Sequence, residues 1–365
     1  MSVLTRMYRG ETNFDFVGAS RRTLVVSAVL VVLSILLLLL RPLNLSIDFT
    51  GGTVVVVSNE ADASVEEVRS AMSDLGLGGA RVQLTGEGKF IRVQTEALEA
   101  GPQDDLIVAV AAVAGVSVNE VTVSAVGPSF GAEVTRSALQ ALLIFLLVVS
   151  VYIAWRFEWK MAVAALAALF HDLVITGGIF AAFQFVVSPA TVIAVLTIMG
   201  YSLYDTVVVF DKVNENVEDM HDRFTYTEIV NTSMNQVLMR SINTSLTSLL
   251  PVGSLLLIGS LAFGAETLRE FALALFIGIA LGTYSSIFVA TPLLALWKER
   301  EEEWMRGRRR VERKRAGGDA PEPLPVSTAG DMLDGEAEAT DAPQEVPANP
   351  AGVTPRPPRK RKKRR

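Results

Sequence analysis

The residues best placed to do chemistry are a few ionisable side chains inside otherwise apolar stretches. Asp205 lies in Gly200-Tyr-Ser-Leu-Tyr-Asp-Thr-Val-Val-Val-Phe-Asp211, roughly eight residues, or about 12 Å of helix, from the end of the apolar run. An Asp or Arg deep in a bilayer costs about 2.5–3.5 kcal/mol on insertion scales, so such a residue points to function. Arg240 is the natural partner, and it opens a polar stripe of Thr244, Thr247 and Ser248 at helical spacing. Ser202, one turn before Asp205, extends a matching stripe on the facing helix. Together these residues describe a hydrated seam and a proton site, with Asp205 alternately protonated and paired with Arg240. Burial and a nearby Arg act on a carboxyl in opposite senses, so a moving Arg can switch its proton affinity.

A second ionisable pair, His171-Asp172, falls in the middle of another apolar run and is a candidate relay, with packing as the competing reading. Asp211 reads as a topology or capping charge. The chain has two histidines, His171 and His221, and no cysteine, so disulfides, thiolate sites and a metal centre are not expected. No cofactor is implied. Gly177-Gly178 and the Gly278/Gly282 pair read as close helix contacts.

The elements that must position these groups are membrane helices. Half of the 365 residues are hydrophobic and 20% are charged, with a mean hydropathy of +0.38. The long charge-poor runs exclude a soluble enzyme, a nucleic-acid-binding domain and a secreted disulfide scaffold. About 20 apolar residues cross a bilayer. Six spans follow, at 24–41, 136–156, 161–186, 190–212, 237–259 and 267–297, with the first an uncleaved anchor. The break between the third and fourth falls at Ser188-Pro189. The fold class is thus a polytopic α-helical membrane protein.

Charge sets the orientation. Basic residues in short loops stay in the cytoplasm. Arg6, Arg9, Arg21 and Arg22 precede the first span, and Arg156 and Lys160 join the second to the third. Residues 298–365 hold 17 of the 33 Lys and Arg, whereas 42–135 holds four basic residues against thirteen acidic ones. Residues 1–23, the loop 213–236 and the 298–365 tail are therefore expected inside, and 42–135 outside. Within 42–135 the order is strand, helix, two strands, helix, strand: Thr53–Ser58, a helix opened by a Ser64/Glu67 capping box, Arg81–Thr85, Lys89–Thr95, a helix from Pro102 to Ala114, and Val116–Val126. That order is the one of a ferredoxin-like sandwich. It contains no His and no Cys, so binding or mechanical coupling is expected of it rather than catalysis. The tail is expected to be disordered from Ala316 to Pro355. It ends in a ten-residue stretch, Arg356 to Arg365, with eight basic residues. That end reads either as a solvated, topology-fixing tail or as a contact to anionic lipid or ribosomal RNA.

Four motifs carry a family resemblance covering about residues 14–300. They are Ile47-Asp-Phe-Thr-Gly-Gly52, Val126-Gly-Pro-Ser-Phe-Gly-Ala-Glu133, Asp205-Thr-Val-Val-Val-Phe-Asp211 and Arg240-Ser-Ile-Asn-Thr-Ser-Leu-Thr247. In this order, on six spans with one large outer loop, the chain resembles the SecF family of bacterial protein translocase subunits. The resemblance implies a half-RND-type bundle that pairs with a SecD subunit and attaches to the SecYEG channel. It implies use of the proton gradient to move and release preproteins across the bacterial plasma membrane. It also implies proton transport by the residues matching Asp205 and Arg240, and an outer domain that engages the emerging chain. The sequence departs from the family at Tyr204, where many members carry Asn. Asp48, Gly51 and Gly52 on the way out, and Gly127, Pro128 and Gly131 on the way back, read as hinges or as rigid turns. Two other functions fit the same spans: a small-molecule exporter of RND type and a passive translocon scaffold. Enzymatic catalysis is not expected, because no nucleophile, metal or phosphate-binding pattern is present.

Overall fold

The computed structural model describes residues 14–86, 88–221, 223–262 and 266–316. Among them, six helices are long and apolar enough to cross a membrane. The first is α1 (Ser20–Leu40). A small domain follows, built from β1 (Asn44–Leu45), the single-turn α2 (Ile47–Thr50), β2 (Gly52–Ser58), α3 (Val65–Asp74), β3 (Arg81–Thr85), β4 (Phe90–Thr95), α4 (Ala100–Ala114) and β5 (Thr122–Val126). The chain then returns through α5 (Pro128–Arg156), α6 (Trp159–Phe183), the short β6 (Val186–Val187), α7 (Pro189–Met220) and α8 (Tyr226–Ala262). It ends in α9 (Glu266–Ser285), a π-helical segment (Ser286–Ala290), α10 (Thr291–Lys298) and α11 (Glu302–Ala316).

The small domain's sheet is antiparallel in the spatial order β3-β4-β2-β5, with β2 and β4 central, while β1 pairs in parallel with β6. The β-branched run Thr53–Val57 fills the centre because both its neighbours bury it, Val55 completely. Both helices pack on one face, placing Val68, Met72, Leu106 and Val110 over Val55, Val57, Ile91 and Val93. The Ser64/Glu67 capping box forms as its spacing demands: Ser64 Oγ accepts from Glu67 N, and Glu67 Oε2 accepts from Ser64 N at 2.8 Å. Two details differ from the sequence reading. The helix expected at Pro102 begins two residues earlier. The last strand starts only at Thr122, because Gly115 turns left-handed and Val118–Glu120 forms a 3₁₀ turn.

The bundle also departs from expectation at its ends. The α5 helix starts at Pro128, inside the stretch 128–135 assigned to the outer domain, because Gly127-Pro128 is an N-cap and N1 pair. Most of the loop expected over 213–236 is helix, since α7 runs to Met220 and α8 begins at Tyr226. Polar residues such as Asn216, Ser233 and Gln236 extend both helices past the apolar run by bonding one another. Asn216 Nδ2 donates to Ser233 Oγ at 2.7 Å and to Gln236 Oε1 at 2.8 Å. The tail is likewise helical over Glu302–Ala316, where Trp304 packs on Tyr226 and Arg315 makes a two-pronged contact with Glu228. The basic end Arg356–Arg365 lies outside the described residues.

Three helices form the tight centre: α6, α7 and the last, broken helix of α9, π segment and α10. Glycine decides how close they come. A Cβ on Gly278 would clash with the Ile198 side chain, and one on Gly282 would meet Ser202 Cβ at 2.9 Å. On α6, a Cβ on Gly178 would strike Ser34 of α1. These contacts bring polar side chains on different helices within hydrogen-bonding distance.

Candidate functional site

The centre of the bundle holds two carboxylates, Asp172 on α6 and Asp205 on α7, exposed by only 2% and 4%. Each is wrapped by hydroxyls. Asp205 Oδ1 accepts from Ser241 Oγ of α8 and Oδ2 from Ser286 Oγ of the π segment, both at 3.0 Å. Asp172 Oδ2 accepts from Ser202 Oγ and Ser285 Oγ, both at 2.7 Å. Its other oxygen lies 3.0 Å from His171 Nδ1. The opposite ring nitrogen, His171 Nε2, is buried and has no hydrogen-bond partner among the described residues. The His171 ring stacks on Tyr284, whose hydroxyl meets Ser27 Oγ of α1 at 2.9 Å. A buried carboxylate wrapped in hydroxyl donors can be held as an anion or accept a proton without rebuilding the core, because hydroxyls both give and take hydrogen bonds.

Arg240 lies on α8, the residue before Ser241, which bonds Asp205. Its Nη2 donates to Tyr204 Oη at 3.0 Å. The expected polar stripe divides in the structure. Ser248 Oγ meets the Tyr201 hydroxyl at 2.7 Å, so it does face α7. Thr244 and Thr247 instead turn their hydroxyls back to carbonyls of their own helix, at 2.8–3.1 Å, the usual resort of a helical Thr. Ser202 does not extend the seam toward α8. It faces the other way, onto Asp172, whose Oδ2 accepts its hydroxyl at 2.7 Å. Asp211 pairs with Arg156 at 2.6 Å on an exposed flank.

Ser241, Ser285 and Ser286 were not picked out from the sequence. Ser241 follows Arg240 and was hidden by the choice of the 240/244/247/248 face; it lies about 100° further round the helix. Ser285-Ser286 sits in an apolar run with nothing but its two hydroxyls to mark it.

The two glycine motifs come together at the other end of the bundle. Gly51 and Gly52 have φ of 73° and 134°, which an L side chain rarely adopts. Gly51 lies on Pro128, and Gly131 fits against Phe49 and Gly51 so closely that a Cβ would meet Phe49 O and Gly51 N at 2.8 Å. Thr135 Oγ1 donates to Phe49 O at 3.3 Å, tying α5 to α2. Asp48 Oδ2 accepts from Ser46 Oγ at 2.9 Å. The exit and return strands of the small domain are thus packed on each other. Gly127 is the exception: it has ordinary backbone angles and open space around its Cβ position.

Two family models fit this chain. The C-terminal model of the protein export membrane proteins SecD/SecF matches residues 106–300, and the SecD/SecF GG motif matches residues 36–58. The chain belongs to the SecD/SecF family. It is 40% identical to the protein translocase subunit SecF of Streptomyces coelicolor, over 96% of this chain and 93% of that one. It is 39% identical to a Mycobacterium tuberculosis SecF over 90% of this chain and 77% of that one. The crystal structure of SecDF from Thermus thermophilus, described as a translocon-associated membrane protein, matches with a TM-score of 0.72 and 35% identity. That match covers 80% of this chain and 39% of the SecDF chain. The SecF relatives are named as translocase subunits, which makes this a transport component with membrane-spanning helices, and the GG-motif match covers Gly51-Gly52.

Proposed function

We propose that this chain is a SecF-type subunit that pairs with a SecD-like subunit and uses the proton gradient to help move and release preproteins at a SecYEG-type channel. The observation that carries the reading is Asp205: a buried carboxylate within the spans, bonded by Ser241 and Ser286, with Arg240 the residue before Ser241 on α8. Proton arrival and departure at Asp205 would exchange a neutral acid for an anion facing a fixed cation. A unit charge crossing 100 mV gains about 2.3 kcal/mol, enough to bias a two-state change in the bundle. Asp172 and His171 serve as a relay in this reading. The packed glycine motifs at Gly51, Gly52, Pro128 and Gly131 transmit the change to the small domain.

Pairing with SecD is supported by the SecDF relative, which is more than twice this chain's matched length. The spatial strand order of the small domain, with both helices on one face, supports a ferredoxin-like sandwich. The charge asymmetry supports placing that sandwich outside a bacterial plasma membrane and both termini in the cytoplasm. The basic tail would contact anionic lipid or the ribosome from that side.

Export by membrane vesicles, with and without a proton gradient, tests the reading. Asp205→Asn should insert and assemble with its partner yet lose the gradient-dependent part of export. Full gradient-dependent export by that variant would leave a passive assembly role in its place.

A further inference from the structure

The two buried carboxylates meet the same short piece of chain. Ser285 donates to Asp172 and its neighbour Ser286 donates to Asp205. Consecutive residues of an α-helix point about 100° apart, so one helix can serve acceptors on two sides in this way. Each hydroxyl also has a second acceptor within reach on its own helix: Gly282 O for Ser285 and Thr283 O for Ser286, both at 3.1 Å. A hydroxyl has one proton to donate, so each serine must choose between its carboxylate and its helix. A carboxylate that takes up a proton no longer needs the donor.

The serines stand where the helix changes type. Ser286–Ala290 is π-helical, and π segments are rare and concentrated at functional sites. Its cause is local. Pro292 has no N–H for the carbonyl of Phe288, and that oxygen takes instead a hydrogen bond from Thr23 Oγ1 of α1 at 3.4 Å. The carbonyl of Ser286 is met by Thr291 Oγ1 at 2.8 Å. Hydroxyls of Thr23 and Thr291 thus meet two carbonyls of the π segment, and Ser286 at its head, with Ser285 just before it, can each exchange a carboxylate for a helix carbonyl as acceptor.

We propose that Asp172 and Asp205 form one coupled proton-binding unit, joined through the Ser285 and Ser286 hydroxyls at the head of the π segment. The inference deepens the proton-coupling reading and rests on it. The groups facing Asp172 are His171 from its own helix, Ser202 from α7 and Ser285 from the last helix, with Tyr284 stacked on the His171 ring. Those facing Asp205 are Ser241 and Arg240 from α8 and Ser286 from the π segment. His171 Nε2, without a partner among the described residues, gives the unit a further buried position able to exchange a proton. Proton occupancy at one carboxylate frees its serine, shifts the π segment and changes the donor presented to the other. Ser285 and Ser286 are positioning residues in this scheme; the protons reside on the two carboxyls.

Infrared titration of the full chain in liposomes reads the carbonyl band of each protonated carboxyl. Asp172→Asn and Asp205→Asn should each remove one band and displace the titration midpoint of the other by about one pH unit or more, the mark of interacting sites. Pro292→Ala restores the missing N–H, lets the helix close as α, and should abolish most of that displacement. Thr291→Val removes the Ser286 carbonyl's side-chain partner and should weaken the displacement in the same sense. Ser286→Thr keeps the hydroxyl and should preserve it, while Ser286→Ala should lose it. Midpoints that ignore each other in the Asn variants, or coupling unchanged by Pro292→Ala and Ser286→Ala alike, overturn the inference. Vesicle export is read separately. Normal gradient-dependent export by Asp205→Asn would defeat the proton-coupling function even where the midpoints are linked. Lost export with independent midpoints would defeat the coupled unit alone.

Discussion

Tyr204 Oη accepts a hydrogen bond from Arg240 Nη2 at 3.0 Å, one residue before the buried carboxylate of Asp205. The phenol thereby helps fix where that positive charge stands. Tyr204 occupies the position where the family resemblance calls for Asn, and the residue is 48% exposed. Hydrogen bonds to charged groups contribute about 1.5–3 kcal/mol when buried, and this one is worth less for its exposure. Tyr204→Phe should therefore lower gradient-dependent vesicle export by roughly threefold to tenfold, with assembly intact. Tyr204→Asn should recover part of the loss through its amide. Unchanged export in the Phe variant would show that Arg240 is positioned by other contacts.

The close approach of the last helix to α7 should be intolerant of bulk. Gly282→Val places atoms where Ser202 Cβ already stands, 2.9 Å from the built Cβ. Overpacking of this kind costs about 1–3 kcal/mol and pushes Ser285 and Ser286 away from their carboxylates. A lower thermal midpoint in detergent, with a larger fall in export, is the expected result. Gly200→Ala on the same α7 is the control: nothing lies within 4 Å of its Cβ position, so its stability should match the wild type or slightly exceed it.

Much of this architecture could be read from the sequence because lipid leaves few choices. Six apolar runs of sufficient length must be helices, since an unpaired backbone cannot lie in hydrocarbon. The small domain was legible for a similar reason, its turn glycines and the Ser64/Glu67 pair marking where elements begin and stop. Helix ends were not, because Lys212–Met220 and Tyr226–Gln236 are polar stretches held helical by contacts between the two helices, as with Asn216 and Ser233. At the site, Asp205, Arg240, His171 and Asp172 stood out by charge. The serines that hold the acids did not, since a hydroxyl in an apolar helix usually just bonds its own backbone. Nor did the π segment. Pro292 was its visible sign, and a proline near a helix end more often marks a kink.

Acid should loosen the small domain at a definite place. The Glu67 carboxyl is held below its ordinary range, chiefly by the hydrogen bond from the Ser64 backbone and then by the Ser64 side chain. A carboxyl lowered by folding stabilises the folded state above its unfolded value, and that stabilisation is lost as pH falls through the lowered one. Amide exchange over Val65–Asp74 should therefore quicken as pH drops below the usual carboxylate range, after correction for intrinsic rates. Glu67→Gln should remove this pH dependence. Persistence of the same pH dependence in Glu67→Gln would assign it to another group.

The junction between the small domain and the bundle offers the sharpest contrast within one motif. Gly127 and Gly131 are four residues apart at the start of α5, yet only one of them needs to be glycine. A methyl group at 131 would meet Phe49 O and Gly51 N at 2.8 Å, and both are backbone atoms that cannot swing aside. A methyl at 127 meets nothing within 4 Å, and the φ of −67° suits any residue. Gly51 is constrained twice, by its φ of 73° and by Pro128 Cα 2.8 Å from a built Cβ. With a ψ of 169° it sits in a backbone region that is essentially glycine's own and costs other residues about 1–3 kcal/mol. Gly51→Ala and Gly131→Ala should thus each lower the thermal midpoint and expose the junction to protease, while Gly127→Ala should do neither. Export separates a hinge from a rigid clamp. If the junction must move, a disulfide engineered between α2 and α5 in this cysteine-free chain should stop export and reduction should restore it. If the junction is only a clamp, the crosslinked protein should export at the wild-type rate, and the cost of Gly131→Ala would be one of stability alone.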